Sequence, residues 1–142
     1  MFQNVIAILV KKASLEFDKI ANPMLAEYDL TLSQFKILRL ISAFPNQAVR
    51  TVDIEREFSI THPSAIGLLD NLESKGFVSR IPNPNDGRGK LIVLTEKGQA
   101  IQPQLDDLSS VMDNALIKNL SPEEQDQLTA LLQKMLAIDK CD

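Results

Sequence analysis

The sequence predicts a mainly α-helical fold that carries one small β-hairpin. Apolar residues recur at three- and four-residue spacing through most of the 142 residues. Helix-start signals of the Ser/Thr-x-x-Gln/Glu kind punctuate that pattern. The exception is IPNPNDGRGKLIVLT, residues 81–95, where a cluster of turn residues runs into a β-favouring stretch, Leu91 to Thr95.

The first helix is expected over residues 2–21, from Phe2, Ile6, Leu9, Ala13, Phe17 and Ile20. Val5, Ile8 and Val10 widen its stripe until the first turns are apolar nearly all round, so a partner chain is expected to cover them. A second helix begins at a capping box, Thr31-Leu32-Ser33-Gln34, and Pro45 stops it. Thr51 is expected to cap a short third helix, with Asp53 in its first turn. After a break at Ser59-Ile60, Thr61 caps a fourth helix, with Pro63 in its first turn. Ala65, Leu68, Leu69 and Leu72 point inward, and Gly76 closes the helix in the left-handed conformation.

Phe77–Ile81 and Leu91–Thr95 read as two strands joined by a long tip, with Ala48–Arg50 as a third short strand. A long helix is then expected to reach about Lys118, bent at Pro103. Ser121-Pro122-Glu123-Glu124 opens a last helix striped by Leu128, Leu131, Leu132, Met135 and Leu136. Short helix, turn, longer helix and hairpin together make a winged helix-turn-helix. The chain thus reads as one domain over 1–142. Its winged-helix part spans 31–98 (helix-turn-helix about 51–75, wing about 77–95), and its dimerisation helices span 1–22 and 99–139.

Composition narrows the function. The net charge of −4 is uneven: residues 101–142 hold three Lys/Arg against eight Asp/Glu, whereas 48–100 hold seven of each. A nucleic-acid-facing surface in the middle of the chain is therefore compatible with an acidic total. One cysteine, Cys141, excludes an intramolecular disulfide, and one histidine with one cysteine cannot build a tetrahedral metal site within a protomer. No apolar run approaches the roughly 20 residues that cross a bilayer. The lysines at 11 and 12 follow the early apolar run instead of preceding it, unlike a signal peptide. A cytoplasmic protein without membrane, metal or cofactor is expected, and no catalytic arrangement appears.

Asp86-Gly87-Arg88, followed after five residues by Leu94-Thr95, resembles the D-x-R…L-T wing signature of MarR-type transcriptional regulators. Leu72-Glu73-Ser74-Lys75-Gly76-Phe77-Val78 resembles the end of that family's recognition helix, and Pro82-Asn83-Pro84-Asn85-Asp86 its wing entry. The resemblance covers essentially the whole chain. It implies a homodimer on pseudo-palindromic double-stranded DNA, most often a repressor released by a small aromatic or anionic effector. It also implies that the fourth helix enters the major groove and that the wing arginine, Arg88, reaches the minor groove.

The chemistry of these residues suits such a role. A minor groove is about 6 Å wide and strongly negative where narrow, and a guanidinium fits it and stays charged. Lys90 adds a second cation beside Arg88. Asp86 is assigned to holding the turn, and Gly87 and Gly89 to close backbone approach. On the fourth helix the outward positions are Thr61, His62, Ser64, Ala65 and Gly67, small or hydrogen-bonding types suited to base edges or phosphates. Ala65 stands in both the inward and the outward sets. The family's founding member carries an arginine where this chain has Gly67, so wing and shape readout are expected to carry more of the recognition here. His62 reads either as a DNA contact or as a solvated first-turn residue, and Arg88 either as the groove cation or as a solvated loop cation. A winged-helix protein-interaction module without DNA binding is the alternative function.

Overall fold

The computed structural model describes residues 5–138, so Phe2 and Cys141 lie outside the described residues. Two compact units are distinguishable. One is Ala21–Ser109; the other is built from the two ends, up to Ile20 and from Ser110 onward. The helices are α1 (Ile6–Ala26), α2 (Leu32–Ala43), α3 (Thr51–Phe58), α4 (His62–Ser74), α5 (Glu96–Ala100), α6 (Gln102–Leu116) and α7 (Pro122–Met135). The strands are β1 (Ala48–Val49), β2 (Val78–Asn83) and β3 (Asp86–Leu94).

Local chemistry explains most boundaries in the central unit. At α2, the Thr31 hydroxyl accepts the Gln34 N–H at 3.2 Å and the Gln34 side chain accepts the Thr31 N–H at 3.1 Å. α1 runs to Ala26, past its expected end at 21 and through Pro23. Only one backbone bond is lost there, at an exposed position open to water. The stop comes at Asp29, in the left-handed conformation with φ 57°. Its N–H bonds the Ala26 carbonyl and the Leu30 N–H bonds that of Leu25, a Schellman closure without glycine. Gly76 ends α4 by the same geometry with φ 82°.

Further sequence expectations are corrected. The residue before α3 is Arg50, not Thr51, because the Asp53 carboxylate reaches back to the Arg50 N–H at 2.8 Å and sets the first turn one residue earlier. The single long helix after Thr95 is two, α5 and α6, interrupted at Ile101. Pro103 has no N–H to give the Gln99 carbonyl, and the Gln102 side chain bonds the Gly98 carbonyl at 3.0 Å beside the break. The helix also stops at Leu116, short of Lys118. The hairpin's long loop is mostly strand, as described below with the site.

The sheet is antiparallel in the order β1-β3-β2, with Val49 opposite Ile92 and Ser79 opposite Val93. Ile37, Leu38, Ile41, Ile54, Leu69, Leu72, Val78 and Ile92 are fully buried, so helices α2–α4 and the sheet share one core. The junction after the sheet is tight. Thr95 caps α5 by accepting the Gly98 N–H at 3.1 Å and donates its hydroxyl to the Gly76 carbonyl. A Cβ at Gly98 would lie 2.1 Å from the Phe77 carbonyl oxygen, so only glycine fits there.

In the end-built unit, α7 opens with a full capping box between Ser121 and Glu124. Its stripe is open to solvent: Leu131, Met135 and Leu136 are each more than half exposed, as is Ile6 on α1.

Candidate nucleic-acid interface

α3, the turn at Ser59 and α4 are built by backbone geometry that side chains then reinforce. Ser59 is left-handed at φ 52°, and the Ile60 N–H reaches the Glu55 carbonyl at 3.2 Å, which lets the chain reverse within two residues. Thr61 caps α4 by accepting the Ser64 N–H at 3.3 Å, and its own hydroxyl donates to Ser64 Oγ at 3.0 Å. At the start of α3, burial works to raise the Asp53 pKa. Hydrogen bonds from the Arg50 side chain and N–H, with the charges of Arg50 and Arg56, outweigh that and hold it below the usual carboxylate range. The same pairing raises Arg50 above its ordinary value.

Of the positions expected to face outward on α4, Thr61, His62, Ser64 and Gly67 are exposed. Ala65 is not. It is fully buried and belongs with Leu69 and Leu72, four and seven residues on, along the face that meets the core. A Cβ at Gly67 would meet nothing within 4 Å, so the surface there is open. His62 is held by a neighbour absent from the sequence reading: its Nδ1 lies 3.0 Å from Glu55 Oε2 on α3. The second half of α4 is acidic and already partnered. Arg80 on β2 pairs with Asp70 at 2.9 Å and Glu73 at 3.2 Å.

The wing differs from the expected long loop. Strand pairing extends to Asn83 opposite Asp86, leaving only Pro84 and Asn85 as the turn. Pro82 pairs with Lys90, so Gly87, Arg88 and Gly89 have no partners across the hairpin and form a bulge on β3. The ladder overrides the turn preference of these residues, and the three-residue excess puts Arg88 in the bulge. Asp86 shapes it: its Oδ1 accepts the Arg88 N–H at 3.1 Å. A Cβ at Gly89 would come within 3.0 Å of Asp86 Oδ2, whereas one at Gly87 would meet nothing. Close approach therefore concerns Gly89 and the Asp86 carboxylate, and Gly87 leaves open space beside Arg88. Arg88 and Lys90 are exposed, and neither makes a side-chain hydrogen bond or ion pair among the described residues.

A cavity of about 130 Å³ lies behind the turn, walled by Ile37, Phe58, Ile60 and Leu68 and bordered by Ser33 and Lys36. Its walls are mainly apolar, with a lysine and a hydroxyl beside them.

α3, the turn and α4, followed by the β2–β3 hairpin, constitute a winged helix-turn-helix. The family model for the MarR family matches residues 30–90. The multiple antibiotic resistance protein MarR of Escherichia coli (strain K12) is 34% identical over 139 residues, 96% of this chain and 95% of that protein. The homoprotocatechuate degradative operon repressor of Escherichia coli is 28% identical over 116 residues, 82% of this chain and 77% of that one. A mutant E. coli MarR in complex with operator DNA superposes with a TM-score of 0.83 at 35% identity, covering 92% of this chain and 93% of that one. The chain belongs to the MarR family.

Proposed function

We propose that the protein is a sequence-specific DNA-binding transcriptional repressor. It acts as a homodimer on pseudo-palindromic operators in the cytoplasm and responds to a small aromatic or anionic effector. It has no catalytic role in this reading. The observation that carries it is the wing: Arg88 stands in a bulge shaped by Asp86, with a guanidinium that no described residue engages. A cation held by a two-stranded ladder loses little freedom on entering a groove. Thr61, His62, Ser64 and Gly67 on α4 present hydrogen-bonding groups and open backbone for the major groove, and Lys90 supplies a phosphate contact.

Residues 31–98 form the DNA-binding part, with the helix-turn-helix about 51–75 and the wing about 77–95. The segments 1–22 and 99–139 form the dimer, and their exposed Ile6, Leu131 and Met135 are the apolar surface a second copy would cover. The cavity behind the turn supports the effector reading, because Ile60 and Leu68 in its wall belong to the turn and to α4, the elements a bound molecule would displace.

Replacing Arg88 with Ala is expected to weaken operator binding by on the order of ten- to a hundredfold and to flatten its salt dependence by about one phosphate contact. Fluorescence anisotropy across a salt series checks both. An unchanged affinity removes the wing mechanism. A protein-interaction module is the second reading, favoured by the absence of any Lys or Arg along α4. It gains if the wild-type dimer binds no duplex, its own upstream region included.

A further inference from the structure

We infer that Glu55 fixes the tautomer of His62, so that the neutral ring offers DNA a hydrogen-bond acceptor at Nε2 and sets the base preference beneath α4. The inference rests on the proposed DNA-binding function and names a specificity-determining pair within it.

An ionised carboxylate only accepts, so the contact between His62 Nδ1 and Glu55 Oε2 at 3.0 Å requires the proton to be on Nδ1. In the neutral ring the other nitrogen, Nε2, then carries the lone pair. Glu55 is the poorly exposed member of the pair and His62 the exposed one, with side-chain exposures of 24% and 63%. The anchored nitrogen therefore faces α3, and Nε2 is the nitrogen left for an outside partner. His62 is the first residue of α4, one after its cap, in the turn that the proposed function sets against base edges.

Base edges differ in what they would offer Nε2. In the major groove, cytosine N4 and adenine N6 donate, while guanine N7 and O6 accept. A neutral ring held by Glu55 favours the donors.

No other charged side chain bonds either member of the pair among the described residues. On α3, Asp53 is committed to Arg50, and Arg56 and Glu57 make no bond to the ring among the described residues. Along α4 the next titratable side chain is Asp70, eight residues on and paired with Arg80. Helix, turn and histidine thus form a local device with one carboxylate and one imidazole.

His62 is the only histidine in the chain, so its ring nitrogens give a single set of NMR signals. Long-range ¹⁵N–¹H spectra of the free protein at pH 8 are expected to show the Nδ1–H tautomer. In Glu55→Gln, whose amide can donate as well as accept, the spectra should move toward the commoner Nε2–H form. Selection of operators randomised beneath α4 should favour C or A over G at the His62 contact. The difference in relative affinity should be about fivefold, the worth of one hydrogen bond. Glu55→Gln should lose that preference while still binding. An Nε2–H wild-type ring, or no preference for C or A in the wild type while binding persists, overturns this inference alone. Failure of the wild type to bind any duplex overturns the proposed function and this inference together.

Discussion

The two units of this chain divide their apolar residues very differently. Among the described residues, every buried apolar side chain but Met112 belongs to Ala21–Ser109, and every exposed large one but Ile81 belongs to the ends. The central unit satisfies itself: three helices and a three-stranded sheet enclose one core, and short-range caps close most of its helix ends. The end-built unit has good local structure, including the Ser121–Glu124 box, but leaves the apolar faces of α1 and α7 open. Burial returns about 25 cal/mol per Å² of apolar surface, so helices that expose such faces are stable only when something covers them. The difference separates a part that covers its own apolar residues from a part whose apolar faces stay open in a single chain.

The largest expected effect breaks the self-sufficient half of the comparison. At Gly98 an added methyl meets the Phe77 carbonyl at 2.1 Å, and neither backbone can yield without moving α5 off the end of β3. Gly98→Ala is expected to cost about 3 kcal/mol or more, from overpacking against backbone. Urea denaturation measures it directly. A cost below about 1 kcal/mol would mean that this junction is not the tight closure the geometry describes.

The next effect sharpens the other half. Leu131 is 64% exposed on α7. In a protein that folded alone, Leu131→Asp would be close to neutral, since isolated surface changes stay within about 0.5 kcal/mol. If a second copy covers that face, the buried unpaired carboxylate should weaken association by roughly 2–4 kcal/mol. Sedimentation equilibrium over a concentration series separates the two cases. A dissociation constant unaltered by the substitution shows that this part of α7 lies outside the interface.

The same contrast explains what could be read from the sequence. Most elements closed by contacts between near neighbours were legible: the Thr31–Gln34 and Ser121–Glu124 boxes, the Thr61 cap and the Gly76 closure all lie where local chemistry puts them, and the Arg50–Asp53 cap is an exception. Elements decided by distant partners were not. Proline, asparagine and glycine at 82–89 favour a loop, yet cross-strand pairing carries the ladder to Asn83 and Asp86 and compresses the irregularity into a bulge. The α1 stop at Asp29 was hidden because aspartate takes a conformation usually left to glycine. At the candidate site the residue types on α4 and the wing arginine could be named, but not their neighbours. Glu55 meets His62 across a left-handed turn from α3 to α4, and Asp70 meets Arg80 from α4 to β2, so no single helical or strand period governs either spacing. Ala65 was ambiguous because a small side chain suits either face; packing alone assigns it to the core.

The smallest expected effect tests how local the central unit's closures are. Asp53 accepts the Arg50 N–H at 2.8 Å and the guanidinium at 3.0 Å, and these bonds, with the nearby positive charges, hold its carboxyl below the usual range despite the opposing effect of burial. The folded chain therefore releases this proton more readily than the unfolded chain does. The resulting stabilisation is complete above the unfolded value, near pH 3.9, and is lost as pH falls through the lower folded value. Asp53→Asn should lower the Tm at pH 7 by about one to three degrees, and the gap between variant and wild type should close on acidification below about pH 4. Thermal melts at pH 7, 5 and 3 follow it. Because Asn cannot pair with Arg50 by charge but can still accept the N–H, a gap that persists unchanged at pH 3 would assign the stabilisation to something other than the titrating carboxylate. A gap absent at pH 7 would mean that the charge pairing with Arg50 adds nothing beyond the N–H bond that Asn keeps.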